Sequence, residues 1–238
     1  MADDRLYFRQ WLAGRDFAAD DAVARQMVNF AYAIGDRATG EALLVDPAYG
    51  VGELLGALAS DGMRCAGALV THHHPDHVGG RLAGWDIEGL AALLEQVDVP
   101  VHAAAAEVGL IDAWTGIGER AIVGHDSGDR IAVGALEVEL LHTPGHTPGS
   151  CCFAVDGALV SGDTLFLEGC GRTDLPGGDP GALYDSLRRL AALPASTVVF
   201  PGHRYSEEAA APMGEVATRN VAMRPLTREQ WIGLFAPS

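Results

Sequence analysis

Apolar and polar positions along the chain follow two periods, and the pattern is built the same way in each half. Residues 29–34 (NFAYAI) and 41–46 (EALLVD) flank a Gly-Asp-Arg-Ala-Thr-Gly turn, which predicts a hairpin. Residues 51–60 (VGELLGALAS) carry apolar side chains at helical spacing. The run 65–70 (CAGALV) predicts a buried strand. Past a histidine-rich stretch follow a helix over 87–97, a strand over 99–103 and a helix over 105–114. In the second half, residues 135–141 (ALEVELL) alternate as a strand, and 150–155 and 158–162 flank Asp156-Gly157, a strong hairpin signal. Residues 180–193 predict an amphipathic helix with Pro180 at its start, and 197–200 (TVVF) another buried strand. Two short helices are expected over 215–223 and 227–235. Strands followed by helices in each half predict a layered α/β fold. No linker composition interrupts the pattern, so one domain over 1–238 is expected, with a short helical tail over about 206–238.

Composition narrows the partners. The chain has 238 residues and a net charge of −16, and its 16 cationic side chains are all arginine. Such a surface repels phosphate backbones, so nucleic acid is not an expected partner. No apolar run approaches the roughly 20 residues of a membrane span. The start, MADDRLYFRQWLAGRDF, has early acids and no apolar core of a secretory signal. Cys65, Cys151, Cys152 and Cys170 lack metal-binding spacing, and the adjacent pair 151–152 points to opposite faces of a strand. These features predict free thiols and a cytoplasmic location.

The candidate chemistry sits on four loops, each directly after an apolar strand: THHHPDHVGG (71–80), HTPGHTPGS (142–150), Asp163 after ALVSG, and PGH (201–203) after TVVF. If those strand ends share one sheet edge, the loops converge. Within the first loop, His72 and His74 project to the same side of an extended stretch and can share one metal, while His73 points away. Pro75 redirects the chain, so Asp76 and His77 can serve a second metal. Imidazole and carboxylate donors suit zinc, iron or manganese. His73, His102 and His125 are expected to be structural or exposed, His142 to pack the loop, and Gly79-Gly80 to permit close backbone approach.

The H-x-H-x-D-H pattern of His72, His74, Asp76 and His77, followed in order by His146, Asp163 and His203, resembles the signature of the metallo-β-lactamase superfamily. The resemblance runs from about residue 28 to 205. It implies a four-layer αβ/βα sandwich with metals at one edge of two facing sheets. It also implies that His72, His74 and His146 bind one metal, that Asp76, His77 and His203 bind a second, and that Asp163 bridges them. Two such metals can hold a nucleophilic hydroxide at neutral pH, and Asp76 is a plausible proton acceptor as well as a ligand.

The stretch 167–187 (LEGCGRTDLPGGDPGALYDSL) is similar to the glyoxalase II-like branch, which includes hydroxyacylglutathione hydrolases and persulfide dioxygenases. This implies a metal-dependent hydrolase of a thioester or ester of a small thiol, with two divalent ions, zinc first and iron or manganese next. Arg172, a bidentate fork for a carboxylate, and Tyr205 are the candidate substrate contacts; Cys170 is expected to be a packed thiol. The alternative is a persulfide dioxygenase with one iron on His72, His146 and Asp163. A small-molecule, thiol-derived substrate is the expected partner, and a homodimer is allowed. Three departures separate the chain from that branch: only 35 residues follow His203, the branch's basic glutathione contacts have no evident match beyond Arg219, Arg224 and Arg228 as substitutes at best, and Arg204 stands where an acid is usual. Residues 81–100 read as an insertion that could wall the metals with Trp85 and Trp114.

Overall fold

A computed structural model describes residues 5–235; the acidic start (1–4) and the last residues of the expected tail (236–238) lie outside the described residues. The first half runs β1 (Leu6–Leu12), α1 (Ala22–Met27), β2 (Phe30–Asp36), β3 (Glu41–Val45), α2 (Val51–Ser60), β4 (Arg64–Leu69), α3 (Pro75–Val78), β5 (Gly80–Leu82), β6 (Trp85–Ile87), α4 (Leu90–Gln96), β7 (Val101–Ala104), α5 (Val108–Thr115) and β8 (Ile122–His125). The second runs β9 (Arg130–Val133), β10 (Leu136–His142), β11 (Cys151–Val155), β12 (Ala158–Gly162), α6 (Pro180–Leu190), β13 (Val198–Pro201), β14 (Ala211–Pro212), α7 (Met213–Arg219) and α8 (Arg228–Phe235).

Two six-stranded sheets result, ordered β1-β2-β3-β4-β7-β8 and β14-β13-β12-β11-β10-β9. The period-2 pattern decides what each face covers. Along β2, Ala31 and Ala33 face one core, while Phe30, Tyr32 and Ile34 face another. Along β11, Cys151, Phe153 and Val155 meet the same inner core, and Cys152 faces outward. Three cores therefore lie in series. The first packs α2, α4 and α5 on sheet one through Leu54, Leu93 and Ile111. The second joins the sheets, and the third packs α6, α7 and α8 on sheet two through Leu187, Val216 and Trp231. Three cores between layers of helix, sheet, sheet and helix make the four-layer αβ/βα sandwich.

Local signals act where the sequence places them. Asp179 caps α6 by accepting from the backbone of Gly181 and Ala182, Pro180 supplies its first turn, and Leu183, Leu187 and Leu190 form its buried stripe. The helix expected over 87–97 begins later, at Leu90. Residues 85–87 instead pair with 80–82 as a small hairpin. The cause is close packing of two backbones: a Cβ at Gly79 would sit 2.8 Å from the Gly89 Cα, and Gly79 has φ +88°. The helix expected over 105–114 is split, its first turn being tighter than α-helix and α5 proper starting at Val108. β1, β8 and β9 fall in stretches to which the sequence pattern assigns no strand.

Candidate metal centre

The converging edge follows from the pairings. β3 and β4 are parallel, as are β12 and β13. β10 is antiparallel to β11 and β11 to β12, so β10 also ends on the same side as β12. The C-terminal ends of all five strands thus carry their loops to one edge. The sheets are stitched there by Cys151 N–H to Thr71 O (2.9 Å) and Phe30 N–H to Gly202 O (2.8 Å).

All seven expected donor side chains meet at this edge. Their donor atoms form three groups, each lying within 4.8 Å: His72, His74 and His146; His72, His77 and Asp163; and Asp76, His77 and His203. His74 Nδ1 is 3.1 Å from His72 Nε2 and 3.0 Å from His146 Nε2. Asp163 lies between the groups, its Oδ1 3.5 Å from His77 Nε2 and its Oδ2 3.3 Å from His203 Nε2 and 3.8 Å from His146 Nε2. Gly202 makes room for it, since a Cβ there would fall 2.2 Å from Asp163 Oδ1.

The rings are fixed from outside. His146 Nδ1 donates to the Arg172 carbonyl (2.8 Å) and His203 Nδ1 to the Met27 carbonyl (2.7 Å). Asp46 fixes two more. It accepts from His77 Nδ1 (2.9 Å) and from the Thr71 hydroxyl (2.6 Å); with that proton committed, the Thr71 oxygen accepts from His72 Nδ1 (3.0 Å). In these four rings Nδ1 faces its protein acceptor and Nε2 faces the centre, whereas His74 turns its Nδ1 inward.

Burial and mutual repulsion hold His72 well below the usual imidazole value and bring His74 to about 4. Burial also works against the His77 imidazolium, but Asp76, Asp163 and Asp46 outweigh it and raise His77 to about 10. His203 is raised in the same way, by Asp163. Burial opposes the Asp163 carboxylate, yet His203, His77 and His146 hold it well below the carboxylate range.

The fit to divalent metal rests on this donor set and on one orphan. Asp163 Oδ1 is buried and has no hydrogen-bond partner among the described residues. Unpaired buried carboxylate oxygens are costly, and a cation between the groups would satisfy it.

Three contributors went unread in the sequence. Asp46 ends an apolar run, the same signal that marks Asp163. Glu107, a lone acid in an apolar helical stretch, is fully buried. It accepts from the His73 backbone (2.7 Å), His73 Nδ1 (2.6 Å), the Thr147 hydroxyl (2.9 Å) and Gly149 N–H (2.7 Å). His73 does point away from the donors, and through Glu107 it locks the first loop to the loop of His146. Asn29, which donates to Asp76 Oδ2 (3.1 Å), leaves no sequence signal. Of the remaining histidines, His142 packs its loop against the Pro148 carbonyl (3.0 Å), and His102 and His125 pair with each other (2.9 Å) away from the centre.

The substrate candidates behave differently from each other. Tyr205 stacks on His203 with a 4.8 Å centroid separation and a 4° interplanar angle. The Arg172 guanidinium is 63% exposed and forks onto Asp174. Burial pushes the Cys170 thiol up to about 12, leaving it unreactive. Of the expected wall, Trp114 lines the cleft over the centre, whereas Trp85 is not among the lining residues.

Residues 25–203 match the model of the metallo-beta-lactamase superfamily. The chain belongs to this superfamily. It is 37% identical over 203 residues to a hydroxyacylglutathione hydrolase of Rhodospirillum rubrum, a match covering 82% of this chain and 70% of that protein. The chain spans 60–70% of the length of the hydroxyacylglutathione hydrolases it matches. Among solved structures, ETHE1 from Myxococcus xanthus superposes with a TM-score of 0.77 at 30% identity, covering 96% of this chain and 89% of that one. TTHA1623 in a di-iron-bound form superposes with a TM-score of 0.67 at 30% identity, covering 82% and 95%. Family and donor set together make this a centre for divalent metal. No helix among the described residues is long and apolar enough to cross a membrane.

Proposed function

We propose that this protein is a metal-dependent hydrolase of thioesters of a small thiol, with two divalent ions held by His72, His74 and His146 on one side and Asp76, His77 and His203 on the other, and Asp163 shared. The observation that carries the reading is the convergence of seven donors, with the outer nitrogens of His72, His77, His146 and His203 already committed to protein acceptors. Similarity to hydroxyacylglutathione hydrolases at 35–39% identity supports the reaction class. The bound ions would supply Lewis acidity and lower the pKa of a coordinated water. Zinc is the first candidate; iron and manganese fit the same donors.

The chain's own residues do the rest. Asp76, steadied by Asn29, offers a carboxylate oxygen on the cleft floor that can accept the proton of an attacking water. Burial and the neighbouring Asp163 and Asp76 raise the Tyr205 phenol to about 12, so at neutral pH it is a hydrogen-bond donor at the mouth. Arg172 binds a carboxylate of the thiol portion by exchanging Asp174 for it. The three cores form one continuous series, which supports a single domain with a short helical tail. Four free thiols support a reducing, cytoplasmic setting.

Metal analysis of the purified protein, paired with assays on an S-acyl thiol and on a persulfide, tests the reading. Two ions per chain and thioester cleavage without O₂ uptake are expected. One iron per chain with O₂ consumed on the persulfide would replace the hydrolase by the dioxygenase.

A further inference from the structure

Two lobes open from the metal centre and meet at His146, Asp163, Arg172 and Tyr205. One, of about 420 Å³, is bounded by the 166–172 loop and contains Glu168 and Arg172. The other, of about 410 Å³, passes over His74 and Pro75 to a wall of Met27, Leu82, Trp114, Leu175 and Pro176. These five apolar side chains come from four separate parts of the chain: α1, the β5–β6 hairpin, α5 and the loop before α6. Trp114 remains 43% exposed, lies outside the buried cores and lines this lobe. Beyond the donor residues of the floor, the only charged side chain lining this lobe is Arg172, already forked onto Asp174.

We infer that the second lobe is an acyl pocket, and that the preferred thioesters carry an unbranched apolar acyl chain of medium length. The inference rests on the thioester reading above. A carbonyl held at the floor between the lobes directs its acyl carbons along one lobe and its sulfur along the other. A pocket of this volume lies in the range that takes a drug-sized ligand. Filling it with methylenes strengthens binding about threefold to fourfold for each one buried. A short hydroxyacyl group would leave the Trp114 and Leu82 wall wet and contribute none of this.

The test uses the full-length, metal-loaded protein and N-acetylcysteamine thioesters with acetyl, butyryl, hexanoyl, octanoyl and lactoyl groups. Values of kcat/KM are expected to climb about threefold to fourfold per methylene from acetyl to octanoyl, with lactoyl near the bottom. Trp114→Ala and, separately, Leu82→Ser should cut the octanoyl-to-acetyl ratio by about tenfold, with wild-type metal content showing that each variant is folded. Calorimetry with the uncleavable octanoyl thioether analogue should give a negative heat-capacity change, smaller for the butyryl analogue. Hydrolysis that is flat across the series, or highest for lactoyl, overturns the acyl pocket. Analogue binding that strengthens with chain length while no thioester is cleaved supports the pocket and overturns the hydrolase reading. Absence of both overturns both.

Discussion

The two donor groups on the cleft floor share an edge, an aspartate lying between them and a supporting aspartate, yet they are electrically unlike. His72, His74 and His146 form an all-imidazole group, in which burial and the neighbouring rings push His72 and His74 toward neutrality. The Asp76, His77 and His203 group contains a carboxylate, which together with Asp163 holds both imidazoles toward the charged form. His72 and His74 therefore present lone pairs at neutral pH, whereas His77 must shed a proton as a cation enters. One loop supplies members of both, and local sequence accounts for part of the contrast through Asp76 beside His77. The rest comes from which distant side chains each half of the loop meets.

The comparison can be broken most severely at Asp163, the residue common to both sides. Asp163→Ala should lower thioester hydrolysis by at least about a hundredfold and reduce bound metal on both sides, read by elemental analysis. Retention of one full equivalent would mean that the groups are independent. Asp46→Ala comes next, because one carboxylate sets the tautomers of His72 and His77 together. Its loss should weaken metal binding about 10- to 100-fold in both groups, measured by competition with a chelator.

Glu107→Gln separates the groups. It keeps the side chain's size but removes the charge that ties His73 to the Thr147–Gly149 loop, so only the histidine group should loosen, by about tenfold in affinity. Stability should fall by roughly 1–3 kcal/mol in urea unfolding. Equal loosening of both groups would contradict the separation. Asn29→Ala touches only the carboxylate side and should produce a smaller, few-fold loss of affinity there.

Asp36 supplies a control away from both groups. It joins the sheets by accepting from Arg5 (2.9 Å), Ala38 N–H (2.9 Å) and Ala135 N–H (2.9 Å), and the Arg5 guanidinium first, then the Ala135 amide, bring it to about 2. A lowered carboxylate pKa stabilises the fold above the unfolded value of about 3.9, and that stabilisation disappears as pH falls toward 2. Asp36→Asn should therefore flatten the acid limb of the stability profile without changing metal content. An unchanged acid limb would contradict the assignment.

Much of this arrangement was legible before any coordinates. The hairpin over 29–46, the helix over 51–60 and the strand-to-loop steps before His72, Asp163 and His203 all stand close to where the pattern puts them, because local period and turn chemistry decide such features. The β5–β6 hairpin carries no strand signal in the sequence, and its last residue, Ile87, falls in the expected helix, since the Gly79–Gly89 contact that doubles the chain back lies between residues ten apart and shows no periodicity. Glu107 and Asp46 were passed over because their partners lie 25 to 42 positions away.

By itself, the sequence determined the chemical types of the donors, their order on loops after apolar strands, and the division of one histidine loop between two sides. Those are consequences of side-chain identity and of backbone geometry over a few residues. Only the tertiary structure decided which nitrogen of each ring faces inward, which acids charge one group and spare the other, and how Met27, Leu82, Trp114 and Leu175 line one lobe. Each of these depends on strands and helices distant in sequence being packed at one edge, and no local interaction can set that distance.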